Sequence, residues 1–132
     1  MDRRVVITGM GIYSCLGKTL DEVRDSLYTG KSGIIFDQER KDMGFRSALT
    51  SKLEIPDLKK ELSRQQRQFM PEQAKYAYCA TVDALRQAGL DQDFLDKNDV
   101  GLIYGNDSSA VPVVESVEKI KAKKDTTLCG SG

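Results

Sequence analysis

The chain has 132 residues, 39% hydrophobic and 30% charged, with 20 basic and 20 acidic residues that cancel. That composition fits one domain of ordinary size, and zero net charge excludes a global field for nucleic acid or an anionic membrane. No run approaches the ~20 apolar residues that span a bilayer; histidine is absent and the three cysteines form no CxxC pair, which excludes a disulfide framework and the common zinc sites.

Residues 3 to 9 read as a buried strand, because valine and isoleucine run without alternation. Arg3 and Arg4 before that run, with Cys15 beyond it, have the outline of an export signal. The glycines at 9, 11 and 17 break the apolar region, so a cytoplasmic protein is expected. Thr19-Leu20-Asp21-Glu22 is a capping box, starting a helix from about Leu20 to Thr29 that Gly30 ends. Leu20, Val23 and Leu27 form its apolar face.

Residues 31 to 56 are the least regular: a loop with an apolar tip at 32 to 36, then an extended edge segment from Phe45 to Leu53. Asp57 to Phe69 reads as a polar helix. Pro71 opens the strongest helix, whose stripe is Ala74, Ala77, Tyr78, Thr81, Val82, Leu85 and Ala88, and Gly89 closes it. Val100 to Tyr104 reads as a second core strand, followed by a turn at Gly105 to Ser109. A last helix starts near Ala110, tolerates Pro112 in its first turn and turns Val113 or Val114, Val117 and Ile120 inward. The order of elements predicts an α/β protein with parallel strands, and so few strands imply part of a larger sheet.

The turn after the first strand places Gly9, Gly11 and Ser14 where a dinucleotide fingerprint requires three glycines. A structural tight turn is the better reading, with a small nucleotide-binding module as the alternative. Cys129 has no histidine to activate it, and Cys15 and Cys79 read as packed thiols. Lys59, Lys60, Arg64 and Arg67 share one predicted helix, and Lys119, Lys121, Lys123 and Lys124 crowd the end of another. Both clusters fit either solvated faces or a docking patch for an acidic partner.

The segments RRVVITGMGIYSCLG, TLDEV, GKSGI with FDQERKDMGFRS, QFMPEQAKYAYCATVDALRQAGL and VGLIYGND together resemble the β-ketoacyl-acyl-carrier-protein synthases, nearest the type I branch. The resemblance implies a thiolase-like α-β-α-β-α fold with an incomplete, parallel-rich sheet and flanking helices. Residues 1–132 are then expected to be the N-terminal segment of a synthase domain, stopping before its catalytic residues. It implies a homodimeric acyltransferase of fatty-acid synthesis. Such an enzyme loads an acyl group from a carrier protein onto a cysteine, then condenses it with malonyl-carrier protein by decarboxylative Claisen chemistry. No metal and no cofactor is implied, nor any nucleic-acid or membrane partner.

The implied nucleophilic cysteine, two histidines and lysine are expected beyond Gly132, so no catalytic residue is assigned here and the chain alone is expected to be inactive. For docking of the acyl carrier protein the resemblance implies Arg64, Arg67, Lys121 and Lys124. Asp107 and Ser108 match positions facing the acyl pocket or the dimer partner, Ser108 being one whose bulk sets pocket depth. A non-catalytic scaffold or chain-length partner of a true synthase is the alternative within the same resemblance.

Overall fold

The computed structural model describes residues 4–68, 70–106 and 110–124. In chain order the elements are α1 (Leu20–Tyr28), β1 (Ile34–Phe36), α2 (Gln38–Asp42), β2 (Leu49–Ser51), α3 (Arg64–Gln68), α4 (Glu72–Ala88), α5 (Gln92–Lys97) and α6 (Ala110–Lys123). They group into two compact units, one of Met1–Glu54 with Cys79–Lys97 and the other of Ile55–Tyr78 with Asn98–Gly132.

In the first unit, α1 begins where the capping box places it. The Thr19 side chain accepts from the Glu22 N–H, while the Glu22 carboxylate reaches back to the Thr19 N–H. Gly30 follows the helix with φ +67°, the left-handed conformation that ends helices. The face differs from the expected stripe. Ser26 is the buried residue, its hydroxyl donating to the Leu16 carbonyl at 2.6 Å, and Leu27 is exposed. The hydroxyl satisfies a carbonyl of the preceding turn, which leucine cannot do.

The expected loop at 32 to 36 is instead a strand. β1 pairs antiparallel with β2, Ile35 opposite Thr50, and α2 lies between them in sequence. Asp37 starts α2 by accepting from the Arg40 N–H. This hairpin is the only sheet among the described residues, so the expected parallel pairing is absent there.

Residues 4 to 9 pair with no strand among the described residues, and Val5 is 94% exposed. Val100 to Tyr104 behaves alike, with Ile103 98% exposed. Both segments have the composition of central strands, but a ladder needs a neighbour to accept its N–H groups. The described residues supply none.

α4 begins directly after Pro71 and ends at Gly89, φ +70°, as the sequence predicts. Its Ala80, Ala84 and Ala88 receive Gly9 and Gly11 of the first unit so closely that a Cβ on either glycine would meet helix backbone. α5 is an element beyond those expected from the sequence; Asp91 starts it by accepting from the Phe94 N–H at 2.9 Å.

In the second unit, the expected helix from Asp57 to Phe69 contracts to α3. Ser63 and Gln66 cap it reciprocally: the Ser63 N–H donates to Gln66 Oε1 at 2.9 Å, and the Gln66 N–H donates to Ser63 Oγ at 3.3 Å. The box fixes the start at Arg64 and leaves 57 to 62 as turns around the buried Leu58. α6 starts at Ala110 as predicted, but Val113, Val114, Val117 and Ile120 are not buried in the unit.

Candidate functional site

The segment 10 to 19 is the first place to look for a ligand, because glycine-rich turns offer backbone amides to phosphates. Here the amides of Met10, Ser14, Leu16, Gly17, Lys18 and Thr19 are already engaged within the chain. The Met10 N–H donates to the Gln87 side chain at 2.6 Å, Ser14 and Gly17 exchange both of their backbone bonds, and the Leu16 N–H donates to Ser14 Oγ. The Lys18 and Thr19 N–H groups donate to the Glu22 carboxylate. Ser14 stands where the fingerprint wants its third glycine, and its hydroxyl closes the 14–17 turn. The turn is structural, and Cys15 packs within it against Gly33.

Beside this turn, Lys18 Nζ meets the Glu54 carboxylate at 2.5 Å and lies 5.7 Å from the Tyr13 ring centre, while the Tyr13 hydroxyl donates to the Glu54 carbonyl. The hydrogen bond to Glu54 raises the Lys18 pKa, and the bond from Lys18 lowers that of Glu54. The stabilisation therefore holds above the ordinary glutamate range and fades as pH falls through the lowered Glu54 value. It also holds below the ordinary lysine range and fades as pH rises through the raised Lys18 value. Glu54→Gln is expected to lower the urea midpoint slightly at neutral pH, with the gap closing in strong acid. A gap that persists in acid excludes this pair as its source. The effect is small because the Glu54 side chain is largely in water and that of Lys18 about half so.

The second unit carries the stronger candidate, an open groove of about 540 Å³. Arg64 and Arg67 line it from α3, Lys75 from the start of α4, and Lys119 and Lys123 from α6, above a floor containing Pro56 and Leu58. All of these cations but Lys75 arrive for a local reason. The Ser63–Gln66 box starts α3 so that Arg64 and Arg67, three apart, share a face. Lys119 and Lys123 are four apart on α6 and share a face likewise. Arg67 is held in place, its Nε donating to the Leu62 carbonyl at 3.1 Å.

Among the described residues, no carboxylate lies within ion-pair distance of Arg64, Arg67, Lys75 or Lys123, and Lys119 meets Glu115 only at 3.6 Å. Among the described residues, Asp57 is the one acidic group in the lining. The Lys59 N–H, donating at 3.1 Å, holds its carboxyl below the usual range, and the Lys59 and Arg67 charges act the same way. The groove thus presents unneutralised cations to solvent, an arrangement suited to an extended anionic partner.

The sequence singled out Arg64 and Arg67, and both line the groove. Lys121 and Lys124 do not. Lys121 lies off the Lys119–Lys123 face, and Lys124 sits past the helix in the left-handed conformation, φ 50°, where its N–H closes on the Ile120 carbonyl. Lys119 could have been preferred from its spacing to Lys123. Lys75 had no local signal, since only tertiary placement brings the start of α4 to α3 and α6. Asp107, Ser108 and Cys129 lie outside the described residues. No group of three or more potential metal ligands occurs among the described residues, and none of their helices is long and apolar enough to cross a membrane.

The family model for the β-ketoacyl synthase N-terminal domain matches residues 2–128. The 3-oxoacyl-[acyl-carrier-protein] synthase 1 of Buchnera aphidicola (Acyrthosiphon pisum) is 40% identical over 111 residues, 81% of this chain and 26% of that protein. Its namesake in Escherichia coli K12 is 39% identical over 105 residues, 79% of this chain and 26% of that protein. The crystal structure of a β-ketoacyl synthase from Burkholderia phymatum superposes with a TM-score of 0.79 at 25% identity, over 98% of this chain and 32% of that one. The chain therefore spans about a quarter of the length of these curated relatives.

Proposed function

This chain belongs to the β-ketoacyl synthase family, as its N-terminal domain, and from that membership we propose that it forms the carrier-facing part of a 3-oxoacyl-[acyl-carrier-protein] synthase. The whole enzyme elongates acyl chains by decarboxylative condensation with malonyl-carrier protein, works as a cytoplasmic homodimer, and draws its nucleophilic cysteine and histidine pair from sequence other than these residues. With no histidine of its own, the chain alone has no group to polarise the extender thioester and turns over no substrate. Asp107 and Ser108 belong in this proposal to the acyl-pocket and dimer-facing turn.

The observation that carries the reading is the convergence in one groove of Arg64, Arg67, Lys75 and Lys123, which have no carboxylate within ion-pair distance among the described residues, with Lys119, whose pair with Glu115 is 3.6 Å long. An acidic carrier protein meets there a surface of opposite sign, which accelerates encounter and fixes orientation. The test is titration of the chain with E. coli acyl carrier protein, followed by fluorescence anisotropy across a salt series. Binding is expected at low ionic strength and should weaken steeply as the Debye length shrinks. Absence of binding at low salt would remove the docking role.

A further inference from the structure

The groove contains one feature that a purely attractive docking surface would lack. Asp57 lines it together with Leu58, Arg64, Arg67 and Lys75, and the Arg67 charge is near enough to act on its carboxylate. The carboxylate is two-thirds exposed, and its ion pair with Lys59 is loose, at 3.5 Å. It therefore projects negative charge into the space an anionic partner must enter. We propose that Asp57 is a specificity-setting residue of the groove: its carboxylate repels acidic groups that approach α3, weakens docking, and directs the partner's carboxylates toward Lys119 and Lys123. The proposal rests on the reading of the groove as a carrier-docking surface and adds to it a residue that opposes binding.

The role suits a protein that must release its partner repeatedly. Attraction from every lining residue would favour encounter and retention together, whereas a built-in counter-charge limits retention without removing the surrounding field. Geometry keeps the charge in place. The Lys59 N–H fixes one carboxylate oxygen at 3.1 Å, and the same bond holds the carboxyl below its usual range.

Asp57→Asn tests this cleanly, because asparagine retains an oxygen to accept from the Lys59 N–H and so keeps the turn. Binding of E. coli acyl carrier protein to this variant is expected to tighten about threefold at low salt, the effect of removing one unit repulsion across ~6–7 Å of water. The gain should vanish at high salt. Glu39→Gln, the same change of net charge on exposed α2 outside the groove, is expected to leave affinity unchanged. Arg64→Glu separates the two levels of the argument. If Arg64→Glu leaves affinity unchanged, the docking reading itself fails. If Arg64→Glu weakens binding while Asp57→Asn binds no tighter, or while Glu39→Gln tightens equally, the role of Asp57 is overturned and docking stands.

Discussion

Gly11→Val should destabilise the first unit by about 3 kcal/mol, the upper range for forcing atoms into a closed contact. A Cβ at Gly11 would fall on the Ala80 carbonyl oxygen, 2.8 Å from Ala80 C and 2.9 Å from the Ala84 nitrogen. These are backbone atoms of α4, so no rotamer change relieves them. Either the 9–11 segment lifts off the helix or the helix breaks. Lifting off also forfeits the bond from the Met10 N–H to Gln87 and separates Gly9 from Ala84 and Ala88. Urea unfolding followed by circular dichroism reads the change. Gly101→Ala is the control, since nothing lies within 4 Å of a Cβ there and its φ is not in the left-handed region; a change within about 0.5 kcal/mol is expected. A Gly11→Val midpoint equal to that of the control would show that the segment does not rest on α4.

Arg64→Glu with Lys123→Glu is expected to weaken carrier binding between tenfold and a hundredfold at low salt. A unit pair ~6 Å apart in water is worth about 0.7 kcal/mol, so reversing one sign changes the interaction by about 1.4 kcal/mol, or tenfold. The two sites share a groove and one partner, so their effects need not add fully. Neither side chain has a carboxylate partner among the described residues, so their reversal removes no internal ion pair and the fold should be unaffected. Anisotropy titrations at low and high salt check both points: the variant and the parent should converge as salt rises. Lys121→Glu, off the groove, should have the smaller effect. Equal losses from Lys121 and Lys123 would mean that binding follows net charge rather than the groove.

What the sequence made legible was local. Thr19 with Glu22, Pro71, Gly89 and the start of α6 at Ala110 each depend on neighbours within four residues, and each is found where expected. The Ser63–Gln66 box is equally local, and although the composition from Asp57 onward favours a helix throughout, the box sets where α3 begins. Strand pairing is not local. Val5 to Ile7 and Val100 to Tyr104 are strand-like in composition yet unpaired among the described residues, whereas the less conspicuous Ile34–Phe36 and Leu49–Ser51 find each other as a hairpin. The groove was half legible for the same reason. Arg64 and Arg67 stood out as a cluster, but Lys75 joins them only through packing; Lys121 misses the groove by helical phase, and Lys124 because the chain leaves the helix before it.

The proposal that the groove of the second unit meets an acyl carrier protein is tested most directly by carbodiimide cross-linking of this chain to E. coli acyl carrier protein, with the joined peptides located by mass spectrometry. The reagent links carboxylates only to amines they already touch. Products at Lys75, Lys119 and Lys123, lost at high salt, are the predicted result. Products confined to Lys18, Lys31 and Lys52 of the first unit would contradict the account.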